Sequence, residues 1–207
     1  MHLLIAQEAG SRIGVSDLPR FLLGGIAPDA HHLMGVAKDP SHFLRWDEQS
    51  KRKRVDVEWF AEKYEQHRED SYYLGYLTHL IADDVWLTTL FAKYILPLSQ
   101  AERAPILPAY YQDFRLLNGK LIEHFQAHEL LNELMAADEG IELEEVSFDA
   151  VLRLKEEVRQ DYRYEASVLD EQLRLFSWDE ILTYLERSVD RALTLLESRE
   201  LRKQVHF

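Results

Sequence analysis

A histidine and an aspartate that lie four positions apart are the residues of this chain best suited to binding a metal ion. His79 and Asp83 occur in the segment LGYLTHLIADDVW, which is apolar enough to predict a buried helix. Side chains four residues apart project from the same face of a helix, so both can reach one ion. Burying them inside an apolar helix is costly without a partner, and Asp84 adds a second carboxylate. The pair therefore predicts a metal site.

The same spacing allows a second interpretation. A buried histidine that hydrogen-bonds to a carboxylate one turn away is a common structural pair, and it would fix helix packing without any ion. The residues alone leave both interpretations open.

Further candidate ligands lie near the start of the chain. They are His2, Asp29 within GGIAPDAHH, and His42 within PSHF. Two of them have an alternative role, since Asp29 could shape a turn after Pro28 and His42 could pack on the core as a loop histidine. The chain has no cysteine, so any metal must be held by imidazole, carboxylate or water. Such ligands suit zinc, although iron, manganese or nickel would also accept them.

The elements that must position these residues are predicted to be helices. No window alternates between polar and apolar residues as a strand would, so the fold class is predicted to be all-α. Residues 26–54 are predicted to be irregular, and the basic run from Lys51 to Arg54 is predicted to be a solvated loop or helix entrance.

The first helix is predicted to stop before Gly10 and the second at Gly24 and Gly25. Helical patterns cover residues 3–9, 17–23, 55–66, 72–96, 109–137, 148–173 and 178–201, the last opened by a capping box of Ser177 and Glu180.

Length and charge narrow the class of protein. The 207 residues predict one domain, residues 1–207, with a core large enough to be stable without disulfides. A net charge of −13 argues against a nucleic acid partner. The first residues lack the pattern of a signal peptide, and no apolar stretch is long enough for stable membrane insertion, so we expect a cytoplasmic protein.

The candidate residues together carry a resemblance to a known family. FLLGGIAPD, SHF and LGYLTHLIADDVW, in this order, resemble segments of the zinc-dependent phospholipase C family. The resemblance implies a single-domain, multi-helix bundle of the phospholipase C and P1 nuclease type. It implies one ion held by four residues, and a second ion held by His2 and bridged to the first by Asp83. Those four are Asp29, His42, His79 and Asp83.

The function implied is hydrolysis of a phosphoric ester. The substrate would be a small phosphodiester, a phosphomonoester or a phospholipid headgroup, attacked by a water that two divalent ions activate. By resemblance only, Asp29 is the candidate general base. The competing hypothesis is a non-catalytic metal-binding or interaction protein that keeps part of the site. An HD-type phosphohydrolase would need an adjacent His-Asp dipeptide, and the chain has none. The sequence leaves open the substrate, the oligomeric state and whether His124 and His128 contribute ligands.

Overall fold

A computed structural model describes residues 1–204 of the chain, and for residues 199–204 it describes the backbone alone. These residues are mostly helical and include one small antiparallel sheet, so the predicted all-α class is confirmed. The helices are α1 His2–Ile13, α2 Leu18–Ile26, α3 Lys38–Ser41, α4 Val57–Lys63, α5 Ser71–Thr88, α6 Leu90–Tyr94, α7 Gln100–Arg103, α8 Leu107–His124, α9 Leu130–Ala136, α10 Phe148–Val158 and α11 Trp178–Gln204. The strands are β1 Leu44–Asp47 and β2 Arg52–Val55.

Helix α5 is the central element, because its residues contribute to both apolar clusters of the core. It begins where the side chain of Asp70 accepts a hydrogen bond from the backbone N–H of Tyr72, at 2.8 Å. The prediction of one helix over residues 72–96 was wrong in its extent, since α5 ends at Thr88 and a separate helix, α6, begins at Leu90. The hydroxyls of Thr88 and Thr89 donate hydrogen bonds to backbone carbonyl groups one turn earlier in α5. Such side-chain hydrogen bonds compete with those of the helix backbone.

Helices α2 and α5 cross with their backbones nearly in contact, and glycines make this approach feasible. A Cβ atom on Gly24 would lie 2.0 Å from the carbonyl oxygen of Tyr72, and one on Gly75 would lie 1.9 Å from that of Phe21. The prediction that α2 stops at Gly24 and Gly25 was therefore wrong. Both glycines are buried inside the helix and allow it to lie against α5.

Helix α1 likewise runs past its predicted end. It continues through Gly10, which packs against Leu18 and Phe21, and ends at Ile13. Gly14 follows in the left-handed conformation with φ of 67°, the usual conformation for a residue that caps a helix C-terminus. The extra turn lengthens the surface that α1 packs on the core.

Residues 26–54 contain regular structure that was not predicted. A 3₁₀ helix covers Ala27–Met34, and the short α3 follows it. Strands β1 and β2 then pair antiparallel, with Asp47 opposite Arg52 and Arg45 opposite Arg54. The basic run is thus the turn and second strand of a hairpin, and the expectation of no strand was wrong. Its two strands of four residues each are too short and too charged to show clear alternation.

The C-terminal half is only partly as predicted. The single helix predicted over residues 109–137 is divided between α8 and α9. The helix predicted over residues 148–173 corresponds to α10, which already ends at Val158. The capping box of α11 is confirmed, because Ser177 N–H donates to Glu180 at 3.0 Å and Glu180 N–H donates to the Ser177 hydroxyl at 3.3 Å. Among the helices of residues 1–204, none combines the length and apolar character needed to span a membrane.

Candidate metal centre

The structure brings the five predicted ligand residues together. Helix α1 carries His2 at its first position, and the 3₁₀ helix carries Asp29. His42 follows the last residue of α3, and the same face of α5 carries His79 and Asp83. Within the described residues, two overlapping groups have ligand atoms close enough to hold an ion: His2, His79 and Asp83, and Asp29, His42 and His79.

The orientation of His79 is fixed by the backbone of α2. Its Nδ1 lies 2.8 Å from the carbonyl oxygen of Gly25. A carbonyl can only accept, so Nδ1 carries the proton and Nε2 presents a lone pair. Burial and the neighbouring His2 lower the pKa of His79 to about 3, against the opposing effect of Asp29 and Asp83. His79 is therefore a neutral imidazole at physiological pH, the form that binds metals.

The orientation of His42 is fixed by α3. Its Nδ1 lies 2.9 Å from the Ser41 hydroxyl oxygen and 3.2 Å from the carbonyl oxygen of Lys38. The Ser41 hydroxyl donates to that same carbonyl at 3.1 Å, so it is free to accept from the imidazole. Nδ1 of His42 is thus the donor, and Nε2 points into the site. Outer hydrogen bonds of this kind orient metal-binding histidines and raise their basicity.

The free nitrogens of the two histidines face each other. Nε2 of His42 and Nε2 of His79 are 3.3 Å apart. Oδ1 of Asp29 lies 3.1 Å from the first and 3.9 Å from the second. Three electron-pair donors therefore converge on one point, where together they could hold a metal ion. The donor set suits a divalent transition metal.

The second group is built around Asp83. Its Oδ1 lies 3.4 Å from Nε2 of His2, and its Oδ2 lies 3.6 Å from Nε2 of His42. One carboxylate oxygen thus faces His2 and the other faces His42, as is required of a carboxylate that bridges two ions. The His2 ring stacks on His79 with centroids 3.7 Å apart, and its buried Nδ1 has no hydrogen-bond partner among the described residues.

His79 limits how the two groups can be used. It belongs to both, yet only its Nε2 is free because Nδ1 is bonded to Gly25. One nitrogen lone pair binds one ion at a time. If His79 serves the group with Asp29 and His42, the second group keeps His2 and Asp83 as ligands, and water would complete the coordination of an ion there.

The two carboxylates of the site are held in the ionised form. Burial alone would raise the pKa of Asp29, but His79, His42 and His2 together hold it well below its usual value. Burial would also raise the pKa of Asp83, but Lys38, His2 and His79 hold it well below its usual value. Both groups are therefore anionic acceptors at neutral pH.

One side of the site is open to solvent. The side chains of His42 and His79 are fully buried, whereas 42% of the Asp29 side chain is exposed. Lys38 forms an ion pair with Oδ2 of Asp83 at 2.9 Å, and 47% of its side chain is exposed. Asp29 and Lys38 are therefore the parts of the site that solvent reaches most readily.

Lys38 was not identified from the sequence. It is 45 positions from Asp83, and no local pattern indicates their contact. The backbone carbonyl that orients His42 is also that of Lys38. This residue thus touches two of the candidate ligands.

Other candidate residues lie outside the two groups. The carboxylate of Asp84 pairs with Arg54 at 3.3 Å and with Arg191 at 2.9 Å, so it links α5 to the hairpin and α11. His31 packs edge-on against His42, with centroids 5.3 Å apart. Three further histidines also lie outside the two groups. They are His32, which lies 3.3 Å from Glu157, His124, which packs edge-on against Trp178, and His128, which lies 3.5 Å from Glu123.

Comparison with known proteins returned no relative. No protein-family model matches the chain, and neither the curated proteins nor the solved structures contain a match. The case for function therefore rests on the geometry of the site.

Proposed function

We propose that this chain is a metal-dependent hydrolase of phosphoric esters. The observation that carries the proposal is the convergence of the His42 and His79 lone pairs with the Asp29 carboxylate. Hydrogen bonds from outside the site fix both imidazoles in the orientation that a metal ion needs. The order of these residues along the chain, which resembles the zinc-dependent phospholipase C family, supports the same proposal. Zinc fits the ligand set best.

The ligand atoms also support a site for two ions. Asp83 directs one oxygen toward His2 and the other toward His42, so it can be shared between neighbouring ions. Divalent ions held there would make a bound water more acidic and stabilise the negative charge that develops on the phosphoryl group. The neutral His79 and the ionised Asp83 supply the ligand atoms without first losing a proton.

Asp29 is the proposed general base. Its side chain is 42% exposed, and its Oδ1 lies 3.1 Å from Nε2 of His42, at the point where the ligand atoms converge. In the reaction, a water O–H bond breaks and its proton passes to Asp29. The water oxygen bonds to phosphorus while the bond from phosphorus to the leaving oxygen breaks. A small phosphoester is the expected substrate, because a net charge of −13 would repel a long polyanion.

Metal analysis combined with an activity panel tests the proposal. The protein is purified, incubated with zinc, manganese, nickel or ferrous ion, freed of excess ion and analysed by mass spectrometry for bound metal. Chromogenic phosphomonoesters and phosphodiesters then measure turnover. His79→Gln is the test variant, and His128→Gln is the matched control because His128 is exposed and outside both groups.

We expect wild type and His128→Gln to bind metal and to hydrolyse at least one ester, and His79→Gln to do neither. A wild-type protein that binds no metal under these conditions would overturn the proposal. Bound metal without metal-dependent turnover would instead favour the alternative, a non-catalytic metal-binding protein.

A further inference from the structure

Lys38 has an unusual position among the charged residues of the site. Its ammonium group lies 2.9 Å from Oδ2 of Asp83, the same oxygen that faces His42. Only 10% of the Asp83 side chain is exposed, while nearly half of the Lys38 side chain is. The lysine therefore reaches the carboxylate from the solvent side and covers it.

A metal ion and the ammonium of Lys38 compete for one oxygen. A divalent ion bound by Asp29, His42 and His79 would draw Oδ2 of Asp83 toward it, and like charges at this separation repel. The ammonium must then leave the carboxylate. Its backbone stays fixed, since the Lys38 carbonyl accepts a hydrogen bond from the Ser41 hydroxyl and from the backbone N–H of His42.

The released ammonium would stay close to the site. The four-carbon side chain is anchored at the start of α3, and its ammonium is near enough to the carboxylate of Asp29 for their charges to interact. Both side chains are partly exposed, whereas His42 and His79 are fully buried. An anionic group that approaches from solvent would therefore meet this ammonium before it meets either buried histidine.

We propose that Lys38 is the phosphate-binding residue of this site, and that its ammonium exchanges the Asp83 carboxylate for a phosphoryl oxygen of the substrate when metal binds. This inference rests on the proposed function, because it requires a metal at the site. It specifies the part of the substrate that the protein recognises, namely an anionic phosphoryl oxygen, which forms charge-assisted hydrogen bonds with an ammonium group.

Two binding measurements on four proteins test the inference. Wild type is compared with Lys38→Met, Lys38→Gln and Lys51→Met. The last is the matched control, since it removes the charge of a lysine that pairs with Glu48 on the hairpin. Zinc affinity of the metal-free protein is measured by competition with a chelator. Binding of inorganic phosphate is measured by calorimetry on zinc-loaded protein from which excess ion has been removed.

We expect both Lys38 variants to bind zinc at least as tightly as wild type, because no ammonium competes for Asp83. We expect their dissociation constants for phosphate to rise about tenfold, because each variant loses one charge-assisted hydrogen bond to the phosphate. Lys51→Met should match wild type in both measurements. Lys38→Gln keeps a hydrogen-bond donor near Asp83 and answers the question if Lys38→Met does not fold.

The outcomes separate this inference from the proposed function. Zinc-loaded Lys38 variants that bind phosphate as tightly as wild type would overturn the role of Lys38 and leave the metal site standing. A wild type that binds no zinc would overturn the proposed function, and this inference with it. Weaker zinc binding by both variants would also contradict the competition on which the exchange depends.

Discussion

The carbonyl oxygen of Gly25 on α2 accepts a hydrogen bond from Nδ1 of His79 on α5, at 2.8 Å. This contact connects the helix crossing to the chemistry of the site. The crossing is close because Gly24 and Gly75 place no side chain between the two helices. Since the crossing sets the position of the Gly25 carbonyl, it also sets which nitrogen of His79 is free to bind an ion.

Gly24→Ala should destabilise the protein and disturb the site together. The added Cβ would lie 2.0 Å from the Tyr72 carbonyl oxygen, so the helices must separate. We expect the free energy of unfolding in urea to fall by about 3 kcal/mol. Gly14→Ala is the control, because it meets no atom within 4 Å and is strained by its φ of 67° alone. It should cost about 1 kcal/mol. Equal losses for the two variants would argue against a close crossing.

His2→Gln and His42→Gln should affect metal binding unequally. His42 belongs to the group with Asp29 and His79, whereas His2 contacts the other side of Asp83. His79 offers a single lone pair, so only one of the two groups can use it. We expect the group of Asp29, His42 and His79 to use it and to bind its ion more tightly. His42→Gln should abolish tight binding, and His2→Gln should remove at most the weaker ion. Metal content by mass spectrometry and titration calorimetry measure both. Tight binding that survives in His42→Gln but not in His2→Gln would reverse the assignment.

Ser41→Ala tests the hydrogen bonds behind His42. The variant removes the hydroxyl 2.9 Å from Nδ1 and leaves the Lys38 carbonyl as the remaining partner. We expect zinc affinity to fall about tenfold, as is typical when an outer hydrogen bond to a ligand is lost. Competition with a chelator measures it, with the exposed Ser50→Ala as control. An unchanged affinity would mean that Lys38 alone orients the ring.

Local sequence patterns predicted the parts of the site that lie on one helix. The spacing of His79 and Asp83 required only that α5 be helical, and the periodicity of that segment was sufficient. The capping box of Ser177 and Glu180 was predictable for the same reason. Asp29 and His42 came from the order of motifs along the chain, and periodicity alone would not have placed them near α5.

Contacts between distant residues explain what was missed. Gly24 and Gly25 are typical of a helix end when only neighbours are considered, and their role depends on Tyr72 and Gly75 in another helix. The hairpin depends on pairing between two short charged strands. The position of Lys38 in the site depends on its ion pair with Asp83, a residue of α5. In each case the determining partner lies far along the chain.

Glu180 should make stability depend on pH in the acid range. Burial would raise its pKa, but hydrogen bonds from Lys93, Ser177 and Tyr94 lower it from 4.5 to about 2. A carboxyl group whose pKa is lower in the folded state stabilises the protein above its unfolded pKa, and this contribution is lost as pH falls through the folded pKa. The stabilising effect should therefore be complete above about pH 4.5 and gone near pH 2.

Glu180→Gln measures this contribution directly. At pH 7 we expect the variant to lose about 1 kcal/mol in urea unfolding, since the carboxylate is partly exposed and the effect of its ion pair is reduced by solvent. The difference from wild type should shrink between pH 4.5 and pH 2, because the wild-type carboxyl group is then neutral as well. Glu197→Gln is the control variant, because Glu197 is an exposed glutamate further along α11. A difference that stays constant down to pH 2 would contradict the assignment, because a loss of packing alone does not depend on protonation.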